Sequence, residues 1–164
     1  MSARLLSITV LAVSVGALSI ASAVEFPPVL VWNASASAPI GLYRIERRAL
    51  RLGEFALVNP EKSLEDFIIE RGYLPEDVPL LKRVAALSGS EVCRVSEAIF
   101  IDGINVADAL RSDSKGRVMP AWRGCFTLAD DEIFLLTSPS NSLDGRYFGA
   151  TKIAIPIWIS DSGD

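Results

Sequence analysis

Histidine is absent from the 164-residue sequence, and this absence excludes several kinds of functional site. A Ser-His-Asp triad, a Cys-His dyad, histidine-ligated zinc and haem bound through histidine all require an imidazole. Acid-base chemistry in this protein therefore depends on carboxylates, lysine, tyrosine or cysteine. We predict neither a metal site nor an organic cofactor.

Positive charge is also scarce, since 16 Lys and Arg residues face 20 Asp and Glu residues for a net charge of −4. This balance lacks the basic excess that generic nucleic-acid binding needs, so we expect no nucleic-acid partner. Half of the residues are hydrophobic and the mean hydropathy is +0.34. Such a chain is long enough for one domain of ordinary size and apolar enough to place part of itself in a membrane.

An uncharged run of 20 residues, 5–24, follows Arg4. At about 1.5 Å of rise per residue, a helix of this length spans roughly 30 Å, the thickness of a bilayer core. The next basic residue is Arg44, so the positive-inside rule places the bulk of the chain outside the cytoplasm.

Two interpretations of this run remain open. The sequence Ala21-Ser22-Ala23 fits the cleavage site of a removable signal peptide. The length of the run and the interface character of the residues that follow, Phe26 and Trp32 among them, favour a retained anchor. We therefore divide the chain into a membrane anchor or signal segment, 1–24, and an exported domain, 25–164.

Only two cysteines occur, Cys93 and Cys125. Outside the cytoplasm, an even pair is most economically interpreted as one disulfide, with two buried free thiols as the alternative. Closing a loop of this length would stabilise the fold by about 3 to 4 kcal/mol in the chain-entropy treatment.

The exported domain is predicted to be mainly antiparallel β, because its apolar runs are short, rich in branched residues and separated by turns. An Asp-Gly turn predicts a hairpin over 98–106, and one helix is predicted over 63–70 with Ser63 as its N-cap. The other predicted strands are 42–45, 54–58, 80–87, 133–137 and 153–159.

The segment 79–87 contains a lysine that could serve as a base. In a strand, Lys82 and Arg83 point to opposite faces, so one of them can turn into the core. An uncharged lysine can deprotonate a serine, provided that burial lowers its pKa from about 10.4. The alternative is an ordinary pair of basic residues at the edge of a sheet.

Two further segments carry polar groups. Ser35 and Ser37 lie among alanines before Pro39 and Gly41, a setting that suits either a closely approached nucleophile or a polar linker. Asn141 to Gly149 contains Ser142, Asp144 and Arg146, and its alternative interpretation is a turn with a structural ion pair.

In this order, the three segments resemble the type I signal peptidase superfamily, whose members use a Ser-Lys dyad. The matching motifs are Ser-x-Ser-x-Pro with Gly-x-Tyr, then Leu-Lys-Arg-Val-Ala-x-x-x-Gly, then Asn-Ser-x-Asp-x-Arg-Tyr-Phe-Gly. Gly145 departs from a serine that is common in the last motif. The closer resemblance is to the TraF-like conjugative-transfer peptidases, through 71–75, 79–84, 113–117, 120–125 and the cysteine pair.

The resemblance implies a signal-peptidase-like β domain with few short helices and a role for each residue of the three motifs. Ser37 would be the nucleophile and Lys82 the general base. The oxyanion would be held by the Ser37 backbone N–H and the Ser35 hydroxyl. Ser142 would orient the lysine, while Asp144 with Arg83 or Arg146 would support the wall of the site.

The resemblance also implies a place and a substrate. The chain would sit in the bacterial inner membrane, with a periplasmic catalytic domain that matures a conjugative pilin precursor, by cleavage alone or coupled to cyclisation. Its partners would be the membrane, this or another exported protein, and components of a type IV secretion apparatus. The alternatives are a general type I signal peptidase and a non-catalytic, disulfide-bonded β scaffold.

Overall fold

The N-terminal segment forms one long helix. In this computed structural model, which describes residues 3–23, 28–153 and 157–161, helix α1 spans Ala3–Ala23. Its residues Ala3–Ser22 are solvent-exposed, and this stretch is long and apolar enough to cross a membrane. A core helix would instead be buried. Val24, Phe26 and the predicted boundary at 24/25 lie outside the described residues, and retention of the segment stays a prediction.

The remaining described residues form two antiparallel sheets and two short helices. The elements are β1 (Leu30–Asn33), β2 (Gly41–Arg47), β3 (Phe55–Val58), α2 (Lys62–Glu70), β4 (Leu80–Ala86), β5 (Glu91–Val95), β6 (Ala98–Ile101), β7 (Ile104–Asp108), β8 (Gly124–Thr127), β9 (Glu132–Leu136), α3 (Gly145–Phe148), β10 (Thr151–Lys152) and β11 (Ile157–Asp161). A seven-stranded sheet has the order β1-β2-β11-β3-β4-β9-β10, and a four-stranded sheet has the order β7-β6-β5-β8. The prediction of a mainly antiparallel β domain with few helices is therefore confirmed.

Most predicted strands agree with the observed ones to within one or two residues. The predicted hairpin is β6 and β7, joined at Asp102 and Gly103, which have φ values of 50° and 79°. Positive φ at both central positions is what a two-residue hairpin turn requires. The predicted strand at 153–159 is observed only in part, as β11 from Ile157, and 154–156 lie outside the described residues.

Helix α2 is confirmed, but its predicted N-cap is wrong. The helix begins at Lys62 and follows Glu61, whose backbone is extended, so Ser63 already lies inside the first turn. The carbonyl of Glu61 accepts hydrogen bonds from the backbone N–H groups of Leu64 and Glu65, and no side chain caps the helix. The apolar face packs on the core as predicted, with Ile68 buried and Phe67 partly buried.

Strand β4 positions the central lysine of the domain. It pairs with β3 on one side and β9 on the other, with Ala56 opposite Lys82 and Leu136 opposite Arg83. Leu80 and Val84 on the same face as Lys82 belong to the largest apolar cluster, beneath α2. The alternation of a strand therefore directs Lys82 into the interior and Arg83 out of it.

Cys93 and Cys125 form the predicted disulfide between β5 and β8, where they lie opposite each other in the register. The alternative of two free thiols is wrong. The disulfide covalently links the edge strand β8 of the four-stranded sheet to its neighbour β5.

Candidate active site

The first part of the site is the serine loop, residues 34–40, which connects β1 to β2. Its two ends are fixed because Asn33 and Gly41 are register partners. Ser35 is exposed and Ser37 half-buried, and their hydroxyl oxygens are 2.9 Å apart. The fully buried Tyr43 donates a hydrogen bond from its hydroxyl to the Pro39 carbonyl at 2.6 Å, which holds the far side of the loop.

The second part is Lys82, whose side chain is only 5% exposed. Its Nζ donates a hydrogen bond to Ser142 Oγ at 2.6 Å. Burial lowers the pKa of Lys82 from 10.5 to about 8, while the charge of Asp144 raises that pKa and the charge of Arg146 lowers it. Since those two neighbours have opposite charges, desolvation determines the direction of the shift.

The third part is a buried polar network behind the lysine. Ser142 Oγ is hydrogen-bonded to Thr137 Oγ1 at 2.7 Å, and Thr137 in turn donates from its backbone N–H and its hydroxyl to Asp144 Oδ2. Arg146 donates from Nη1 to the same carboxylate at 2.7 Å and from Nη2 to the Thr137 carbonyl. Burial raises the pKa of Asp144, whereas the Arg146 charge and the backbone donors oppose that rise. These contacts fix Ser142, and through it the lysine.

Arg83 is not part of this network. Its guanidinium stacks on the Phe55 ring at 4.5 Å and donates a hydrogen bond to the Gly53 carbonyl, on the opposite face of β4. The alternative that pairs Asp144 with Arg83 is therefore wrong, and Arg146 is the observed partner. The predicted opposition of Lys82 and Arg83 across the strand is confirmed.

One cleft of about 690 Å³ brings four of the predicted residues together. Ser35 and Ser37 line it from the serine loop, and Lys82 and Ser142 line it from β4 and the segment before α3. Among the described residues, Ser37 is hydrogen-bonded to Ser35 and Lys82 to Ser142, and no hydrogen bond joins Ser37 to Lys82. Proton transfer between the two side chains therefore requires the Ser37 hydroxyl to turn from Ser35 to the lysine amine, whose lone pair accepts while an N–H still donates to Ser142.

Gly145 permits the close packing of α3 against β9. A Cβ placed on it would lie 2.6 Å from a ring carbon of Phe134 and 2.9 Å from the Leu135 carbonyl oxygen. Any side chain would therefore push Asp144 and Arg146 away from the sheet. This contact gives a physical reason for glycine at position 145.

Two residues of the site were missed in the sequence. Thr137 bridges Ser142 and Asp144, and Asn33 contacts the serine loop at several points. Thr137 could have been found as the residue next to Lys82 once β4 and β9 are paired. Asn33 carried no signal of its own, because a single polar residue at the end of a short strand is common.

The described residues contain one group with the spacing of metal ligands, Glu91 with Cys93 and Cys125. Both of its sulfur atoms are joined in the disulfide, so neither is available as a thiolate.

Comparisons with known proteins give matches over most of the chain. The family profile described as "Signal peptidase, peptidase S26" matches residues 2–155. Among solved structures, a signal peptidase I from Enterococcus faecalis V583 is similar, at 16% sequence identity and a TM-score of 0.39. That match covers 68% of this chain and 96% of the other. No curated protein gives a significant match.

Proposed function

Because the chain belongs to the peptidase S26 family of signal peptidases, we propose that it is a membrane-anchored serine endopeptidase with Ser37 as nucleophile and Lys82 as general base. Family membership makes it a serine peptidase of the signal peptidase type. The observation that carries the assignment of the two residues is the burial of Lys82 in the cleft that Ser37 lines. A lysine with a pKa of about 8 is neutral often enough to accept a proton near neutral pH.

The first chemical step is attack by Ser37 Oγ on the substrate carbonyl carbon, with transfer of the hydroxyl proton to Lys82 Nζ. The oxyanion accepts hydrogen bonds from the Ser37 backbone N–H and from the Ser35 hydroxyl. The protonated Lys82 then donates its proton to the leaving amine, so the peptide bond breaks and an acyl-enzyme forms on Ser37. Water or a second amine resolves this ester.

Ser142 has a supporting part in these steps. In the free protein its Oγ accepts a hydrogen bond from Lys82 Nζ, and its position is set by Thr137. It therefore keeps the amine within the cleft in both protonation states.

The pH dependence of cleavage follows from the lysine. Since only the neutral amine accepts a proton, the rate should rise through a midpoint near the Lys82 pKa of about 8 and become level above it. Below the midpoint the neutral fraction, and with it kcat/KM, should fall about tenfold for each pH unit. A pH profile of kcat/KM measures this, and a level profile from mildly acidic to alkaline pH would contradict Lys82 as the base.

The proposed substrate is a membrane-inserted pilin precursor of a conjugative transfer system. Three observations support it: the TraF-like motifs, the small residues of the serine loop, and an apolar helix that ends shortly before the loop. Together they suit a cleavage site with small side chains close to a bilayer. In this proposal the chain lies in a bacterial inner membrane, its catalytic domain is periplasmic, and it acts beside type IV secretion components.

A second candidate is a general signal peptidase, which the match to the family profile favours. To separate the two, the full-length protein in phospholipid vesicles is given a conjugative pilin precursor and, separately, a secretory preprotein. Cleavage of the pilin precursor alone is expected. Cleavage of the preprotein at a comparable rate would contradict the pilin assignment.

Mass spectrometry of the pilin product separates hydrolysis from cyclisation, since the cyclic product is lighter by one water.

A further inference from the structure

Asn33 is a buried polar residue that the mechanism above does not use. It is 7% exposed and ends β1, directly beneath the serine loop. Its register partner is Gly41, so the loop begins and ends beside it. Every polar atom of its side chain is engaged by this loop.

The amide nitrogen of Asn33 contacts three backbone carbonyl groups. Nδ2 donates toward the carbonyl oxygens of Ser35 at 2.9 Å, Ala38 at 3.1 Å and Pro39 at 2.9 Å. Three acceptors around one atom identify that atom as the nitrogen, because an amide oxygen would be repelled by all of them. The loop is therefore wrapped around this donor.

The amide oxygen of Asn33 determines the direction of the Ser35 hydroxyl. Oδ1 accepts hydrogen bonds from the Ser35 backbone N–H at 3.1 Å and from Ser35 Oγ at 2.9 Å. A serine hydroxyl has a single proton, and in Ser35 that proton is directed to Asn33. In the 2.9 Å contact between Ser35 and Ser37, Ser37 is consequently the donor and Ser35 the acceptor.

We infer that Asn33 is the positioning residue of the serine loop, holding its backbone through Nδ2 and orienting the Ser35 hydroxyl, and with it Ser37, through Oδ1. The inference rests on the proposed function of Ser37. Before substrate binds, Ser37 points its proton at Ser35, and the Ser35 proton is held by Asn33. As the Ser37 hydroxyl turns from Ser35 to Lys82 and attacks, the Ser35 hydroxyl turns from Asn33 Oδ1 and donates its hydrogen bond to the developing oxyanion.

Asn33 has no polar group left for the substrate, so its removal should change kcat and leave KM nearly unchanged. A purely structural asparagine would behave differently. Its removal would lower the melting temperature, while the protein that stays folded would turn over at the normal rate.

The test uses the full-length protein in vesicles with whichever precursor it cleaves, at a temperature below the melting of every variant. Asn33→Ala removes both the Nδ2 donor to the loop carbonyls and the Oδ1 acceptor of the Ser35 hydroxyl. Asn33→Asp has nearly the same shape and keeps the acceptor, but it removes both amide hydrogens and serves if the alanine variant does not fold. We expect kcat to fall about tenfold or more in each, with KM within about twofold of the wild type. The exposed Asn105→Ala on β7 is the matched control and should retain the wild-type kcat.

A double-mutant cycle with Ser35→Ala tests the path of the effect. If Asn33 acts through Ser35, the loss in the Asn33→Ala/Ser35→Ala variant is smaller than the product of the two single losses. Independent losses, or a kcat within about twofold of the wild type in both Asn33 variants, would overturn the inference. Failure of the proposed function is a separate result, namely cleavage that persists in Ser37→Ala.

Discussion

Replacing Ser37 by alanine should abolish cleavage, and replacing Lys82 by methionine should do the same. The first variant removes the attacking oxygen and the second removes the amine that takes its proton, so each should lower kcat by at least about 10³-fold. Methionine is chosen because Lys82 is buried against apolar neighbours and an unbranched apolar side chain preserves that packing. The rate of product formation from the precursor that the wild-type protein cleaves measures this loss of kcat.

The double variant sharpens this prediction. Since Ser37 and Lys82 act in one step, Ser37→Ala/Lys82→Met should be no slower than the slower single variant. Matched controls are Ser88→Ala and Lys62→Met, both exposed and neither among the residues that line the cleft, which should cleave at the wild-type rate. Appreciable cleavage by either single variant would contradict the assignment.

Replacing Arg146 by methionine should cost the protein much of its stability. Arg146 and Asp144 form an ion pair at 2.7 Å with side chains that are 5% and 0% exposed. Removing one partner leaves a buried, uncompensated carboxylate, and such changes cost about 3 to 5 kcal/mol of the free energy of unfolding. Chemical denaturation of the full-length protein in detergent measures this loss.

The same variant should also change the pH dependence. Burial and Arg146 lower the pKa of Lys82 and Asp144 raises it, so removing Arg146 takes away one of the two influences that lower this pKa. The midpoint of the pH profile of kcat/KM should therefore move to higher pH.

The matched control for the loss of stability is Arg111→Met, which breaks an exposed pair with Glu97 and should cost less than about 1 kcal/mol of the free energy of unfolding. If Arg146→Met and Arg111→Met lose the same amount of unfolding free energy, the buried pair stabilises the protein no more than an exposed one, which contradicts the prediction.

The parts of the fold and of the site that the sequence predicts are those governed by local rules. Strand alternation is enough to direct Lys82 and Arg83 to opposite faces, because the period of a strand does not depend on its neighbours. The Asp-Gly hairpin is equally local. The disulfide follows from the number of cysteines and the inferred compartment.

The parts that the sequence does not predict depend on contacts between distant residues. β5 and β8 were not predicted: both are short, and what stabilises them is their pairing with each other, the pairing of β5 with β6, and the disulfide. α3 has only four residues, too few for a periodic pattern, and it is held by the Asp144 cap and by a hydrogen bond from Trp122 Nε1 to the Gly145 carbonyl.

Thr137 and Asn33 show the same limit at the level of single side chains. Thr137 becomes part of the site because the pairing of β9 with β4 sets it beside Lys82, and the register of that pairing is not written in either strand alone. Asn33 acquires its contacts only when the loop folds back to Gly41. Their roles therefore emerge from the fold rather than from a motif.

The central claim, that a neutral Lys82 activates Ser37 for attack on a peptide carbonyl, is tested most directly by trapping the acyl-enzyme. The full-length protein is mixed with an ester analogue of the cleaved precursor, quenched in acid and mapped by tandem mass spectrometry. We predict an acyl group on Ser37 in the wild type and none in Lys82→Met. An acyl group on another residue, or equally fast acylation of Ser37 in the Lys82→Met variant, would contradict the claim.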